Sequence, residues 1–158
     1  MQDKKHLLKE LNEEFKDLQK ELGFKTSLEE LDIEFNIKND ILGKEFVPEL
    51  FFRYICSSIA DVYRNWHGYL NGLLMPSPGF YASQVESKVF NGEEDKKLLW
   101  NLIKKAMAFS SESALVTVSH DKKLASKFID ESYQCYISEF RPALIEIMKK
   151  VNEAWKKE

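Results

Sequence analysis

A chain of 158 residues, 44% of them hydrophobic and 31% charged, is long enough to bury roughly 70% of the surface its unfolded form exposes. Lys and Arg number 23 against 26 Asp and Glu, a net charge of −3, which argues against a protein that holds nucleic acid by counterion release at a basic surface. No apolar run reaches the ~20 residues a membrane-crossing helix needs, and six Gly with four Pro are too few for a low-complexity chain.

The first residues, Met1-Gln2-Asp3-Lys4-Lys5-His6, lead into a charged helix over residues 3–22. Leu8, Leu11, Phe15, Leu18 and Leu22 step by 3, 4, 3 and 4 along it, a narrow coiled-coil-like seam with polar residues between. Gly23 follows where a left-handed residue would end the helix, with Phe24 placed to make the accompanying apolar contact. The expected division is therefore an N-terminal helix over 1–25 and a bundle over 26–158. Because the seam is confined to two lines, it is expected to meet a partner chain or a second copy, with docking on its own bundle as the nearly equal alternative.

Thr26-Ser27 offers a fresh cap, with Glu29 or Glu30 completing a capping box. The stretch 31–37 alternates like a strand, yet Leu28, Leu31 and Phe35 fit a helix; the expectation is a short helix near 27–35, then an irregular or extended piece. Pro48 suits the first position of a long helix running to Leu74. Phe51, Ile55, Ile59, Val62, Trp66, Leu70 and Leu73 are its buried line. Gly68 and Gly72 weaken its last turns or let another backbone come close.

Met75-Pro76-Ser77-Pro78-Gly79 must stop that helix. Phe80 and Tyr81 follow. Turned outward, their rings would form a recognition element for a partner; folded back, the commoner outcome, they would form a lid.

Beyond Asn91-Gly92, the acids Glu93, Glu94 and Asp95 complement the dipole of another helix. Its apolar face is read as Leu99, Ile103, Met107, Ala114, Leu115 and Val118. Ser119 is expected to cap the next helix, and Pro142 to kink or restart it. The last segment is expected to bury Leu144, Met148, Val151 and Trp155. All three tryptophans read as core or interface fillers, and Cys56 and Cys135, without C-x-x-C spacing, as small buried hydrophobes.

Chemistry-bearing motifs are sparse. The residues three before His6, His67 and His120 are Asp3, Arg64 and Thr117, so no Glu-x-x-His pair for a di-iron bundle exists. There is no H-E-x-x-H, no zinc spacing, no phosphate loop and no G-x-S-x-G elbow. Ser110, Ser111 and Ser113 have no neighbouring His and read as a polar helix face.

One cluster stands apart, Arg64-Asn65-Trp66-His67 with Tyr69. Arg64 and His67 can share a helix face, and an acid–base role would need His67 neutral and accessible. The commoner fate of such a pair is a hydrogen bond to a nearby carboxylate.

The expected fold is mainly α: a single-domain bundle of four to five amphipathic helices with at most one short strand pair. The expected function is a cytoplasmic, non-catalytic interaction or regulatory protein that binds a protein partner or self-associates, without metal or cofactor and without nucleic acid or membrane. The alternative is a helical RNA-processing or small-ligand-binding domain using Arg64, His67 and Tyr69.

Overall fold

A computed structural model describes residues 4–42 and 47–158, and Met1 to Asp3 lie outside it. The described residues are mainly α-helical and hold no strand: α1 (Lys4–Leu22), α2 (Leu28–Phe35), α3 (Ile37–Leu42), α4 (Phe51–Leu74), α5 (Tyr81–Ser87), α6 (Glu93–Ser119), α7 (Lys122–Cys135) and α8 (Arg141–Trp155). The expected bundle of four to five helices is thus too few. Eight are described, and two of the additional ones, α3 and α5, are short helices that carry too little periodicity to announce themselves.

Local chemistry sets the boundaries. Gly23 takes φ +77 and its N–H donates to the Gln19 carbonyl at 2.9 Å, closing α1. Ser27 and Glu30 cap α2 reciprocally: Glu30 N–H donates to Ser27 Oγ at 3.2 Å, and Ser27 N–H donates to Glu30 Oε2 at 2.8 Å. That hydrogen bonding to Ser27 holds the Glu30 carboxyl below its ordinary pKa.

Asn36 then adopts a left-handed conformation, φ 55, and the backbone resumes as α3. The Lys38 N–H donates to Asp32 Oδ1 at 2.8 Å. The extended piece expected after residue 35 is therefore a second helix, because Asn tolerates the left-handed turn between the two.

Asp121, rather than Ser119, caps α7: its Oδ1 accepts the Lys123 and Leu124 N–H groups at 2.9 and 3.0 Å. Between α7 and α8, Tyr136–Phe140 forms a π turn, with Arg141 N–H donating to the Tyr136 carbonyl. Pro142 has no N–H for residue 138 and its ring crowds that carbonyl. One wider turn absorbs the mismatch without breaking the helix.

The packing forms two compact units, each built from separate stretches of chain. The first holds Met1–Val62 and Phe109–Tyr133; the second holds Tyr63–Ala108 and Gln134–Glu158. Their boundaries fall inside α4 and α6 and near the end of α7, so no linker marks them.

In the first unit the α1 seam is turned inward. Leu11 and Phe15 are 2% exposed, Leu18 is buried, and Leu8 and Leu22 are half-buried. Phe15 meets Phe24 and Phe51 edge-to-face at 5.4 and 6.2 Å, a geometry that adds about 0.5–1.5 kcal/mol per pair beyond the buried area. α1 thus packs in the same unit as α2, α3 and the start of α4. Asp130 holds the α1–α2 connection: its carboxylate accepts from Lys25 N, Thr26 N and Thr26 Oγ1 at 2.7–3.0 Å.

In the second unit Tyr63, Leu70, Leu99, Phe140, Leu144 and Val151 form the core. Tyr63 meets Phe140 edge-to-face at 5.0 Å, and Tyr136 stacks on Phe140 at 5.9 Å. Several face assignments shift. On α6 the buried line is Leu99, Leu102, Ile103, Ala106, Ser113 and Val116, while Met107, Leu115 and Val118 are exposed. On α8 it is Leu144, Ile147 and Val151, with Met148 and Trp155 partly exposed at 37% and 39%. None of the tryptophans is a core filler. Cys56 is buried as expected and Cys135 only half so.

Candidate functional site

The second unit carries two neighbouring concavities on the last turns of α4. The first is a cleft of about 270 Å³ lined by Gly68, Tyr69, Gly72, Met75, Phe80 and Glu86, with Leu73, Ser77 and Ser83 completing it. Its floor is bare backbone. Gly68 and Gly72 lie one helical turn apart, and a Cβ added to either would meet nothing within 4 Å.

The wall opposite is the loop that ends α4, and it is held rigidly. Two prolines restrict it, Phe80 N–H donates to the Ser77 carbonyl at 3.2 Å, and Gln84 Nε2 donates to the same carbonyl at 2.9 Å. Ser83 Oγ donates to the Gly72 carbonyl at 3.2 Å, which ties α5 to the floor. Phe80 and Tyr81 are turned outward, 63% and 64% exposed, and Met75 is 59% exposed beside them. The rings do not fold back as a lid. The buried residue of α5 is Val85.

Glu86 closes the far end. Its Oε2 accepts from the Tyr69 hydroxyl at 3.0 Å and its Oε1 from Trp155 Nε1 at 2.8 Å. Burial, with Glu86 alongside, pushes the Tyr69 hydroxyl pKa up, so it stays protonated and donating. With one donor on each oxygen, the carboxylate clamps α4, α5 and α8 together. Tyr81 reaches the C-terminal end too, meeting Trp155 edge-to-face at 6.2 Å and donating to Glu158 at 2.8 Å.

The second concavity is an open groove of about 410 Å³ along α8. Trp66, Leu144, Ile145 and Met148 line it with Tyr136 of the π turn, while Arg141, Lys149 and Asn152 stand at its margin. Trp66 lines this groove and Tyr69 the cleft, and the two rings touch edge-to-face at 6.0 Å.

The structure thus brings together Tyr69, Phe80 and, at the rim, Tyr81. Arg64 is exposed and His67 half-buried, and neither lines the cleft or the groove. Leu8, Leu11, Phe15, Leu18 and Leu22 lie in the first unit, apart from this site. Glu86 and Ser83 were not singled out from the sequence, and Met148 and Trp155 were read there as packing residues of the last helix. Only the paired glycines hinted at a close approach.

Among the described residues no three His, Cys, Asp or Glu side chains gather as a metal site, and no helix is long and apolar enough to cross a membrane. Compared with known proteins, the chain matches no family model, no curated protein and no solved structure.

Proposed function

We propose that this protein is a non-catalytic interaction module, and that it takes a segment of a partner protein in the cleft over Gly68 and Gly72. The observation that carries the reading is the glycine floor. Each glycine in a helix interior costs roughly 0.5–1 kcal/mol relative to Ala, and nothing within the fold comes close enough to require the missing Cβ. An incoming backbone would require it.

The surroundings support the same reading. Met75, Phe80 and Tyr81 expose a large apolar area on a loop already held in place, and such preorganisation lowers the entropy cost of binding. Aromatic side chains are the residues that most often anchor protein contacts. Glu86 holds the cleft together through one hydrogen bond on each oxygen.

The test is a peptide-display selection against the folded protein, followed by binding measurements on individual clones. Enriched clones should lose affinity for the Gly68→Ala/Gly72→Ala variant and for Phe80→Asp. Clones that bind all three proteins equally would place recognition elsewhere and end this reading.

A further inference from the structure

The cleft over Gly68 and Gly72 has an electrostatic character that its apolar walls do not suggest. Glu86 lines it, and no Lys, Arg or His does. The two donors that meet this carboxylate, the Tyr69 hydroxyl and Trp155 Nε1, are both neutral. They orient the charge without cancelling it. A carboxylate offers about four lone-pair sites, so each oxygen keeps room for a further donor. A second carboxylate, Glu158, stands at the rim, where the neutral Tyr81 hydroxyl donates to it at 2.8 Å.

The backbone adds to the same field. α4 ends at this cleft, and the partial negative charge of a helix C-terminus favours a Lys or Arg nearby. The last turn of α4 holds no basic residue. Pro76 and Pro78 have no N–H to return to the Gly72 and Leu74 carbonyls. The Gly72 carbonyl takes the Ser83 hydroxyl instead, again a neutral donor. Tyr69 and Phe80 complete the lining with rings whose faces carry negative charge density.

An acidic segment would be repelled by this field. A wholly apolar one would cover Glu86 without neutralising it, and a buried unpaired charge is costly. A basic side chain meets the carboxylate, the helix end and the aromatic faces together. We infer that the partner segment taken by the cleft carries an arginine or lysine, held by Glu86 and flanked by Tyr69 and Phe80. The inference rests on the cleft reading above and narrows the partner to a basic peptide.

Clones from the display selection test it, restricted to those that lose affinity for the Gly68→Ala/Gly72→Ala variant. Synthetic peptides of these clones should contain an Arg or Lys. Changing that residue to citrulline or norleucine should weaken binding about ten- to a hundredfold, as the loss of a hydrogen bond to a charged group does. Affinity should also fall as salt rises.

Glu86→Gln, with folding checked by circular dichroism, separates recognition of charge from clamping. The parent peptide should lose affinity for this variant, while the citrulline or norleucine peptide should bind both proteins alike. If the variant does not fold, the peptide substitutions and the salt series decide alone. Glycine-dependent clones that lack a basic residue, or bind as tightly without it, overturn this inference and leave the cleft reading standing. If no clone depends on the glycine floor, the reading and this inference fall together.

Discussion

Replacing both Gly68 and Gly72 by Ala should make this protein more stable. The two positions lie inside the 24-residue helix α4, and neither has a positive φ, Gly23 being the glycine that does among the described residues. A new methyl at either would meet no heavy atom within 4 Å, so there is no clash to subtract. What remains is the helix-propensity difference and the lower entropy of the unfolded chain, about 0.5–1 kcal/mol per site and about 1–2 kcal/mol for the pair. For a chain of this length that is a rise in Tm of roughly 2–8 °C, at about 2–4 °C per kcal/mol. Scanning calorimetry and urea unfolding on the two single variants and the double variant give the numbers. The double variant should also lose the cleft-binding peptides. A fall in stability would mean that an atom lies closer to the glycine floor than described, and the inference from an unused floor would collapse with it.

The same substitution at Gly23 should act in the opposite direction, destabilising by about 1–2 kcal/mol, because φ there is +77; the urea midpoint reads it. Asp130→Ala should cost about 1.5–3 kcal/mol, since it strips the shared acceptor from two backbone N–H groups and the Thr26 hydroxyl, and hydrogen exchange should rise first at Lys25 and Thr26. Glu112 has its carboxyl pKa raised, by burial first and by the neighbouring Glu131 second. A raised carboxyl pKa means the folded state holds its proton longer, so this contribution is fully present below the ordinary value of 4.5 and lost as pH rises through the folded one. Glu112→Gln should therefore flatten stability over that acid window, and an unchanged pH profile would count against the assignment. Burial pushes the Cys56 thiol far up, so alkylation of the native protein near neutral pH should reach Cys135 before Cys56, and equal rates would contradict the packing of α4.

Much of this architecture was legible residue by residue. Gly23 ending α1, the Ser27–Glu30 box opening α2, Pro48 before α4 and Pro142 at the π turn are all local events. They depend on one or two side chains and the backbone beside them, which is why a sequence carries them whole. The α-helical class follows for the same reason, from the 3.6-residue spacing of apolar side chains over long stretches.

Which face each helix buries is another matter, because it depends on how many neighbours that helix acquires. Periodicity placed Met107, Val118, Met148 and Trp155 inward along with Leu144 and Val151, whereas packing buries Ala106, Val116 and Ile147 beside the correctly placed Leu144 and Val151. The narrow seam of α1 looked unpartnered and is turned into the core of its own unit. The two units themselves have boundaries within helices, where no composition shift can mark them. Part of the cleft was visible in advance: Phe80, Tyr81 and Tyr69 stood out by their chemistry, and the glycine pair by its spacing. Glu86 and Trp155 could not be joined to them, lying 17 residues beyond Tyr69 and 69 residues apart from each other. Only the folded chain sets that carboxylate between two donors, since a hydrogen bond across three helices is decided by where the helices come to rest and not by any one segment's own preference.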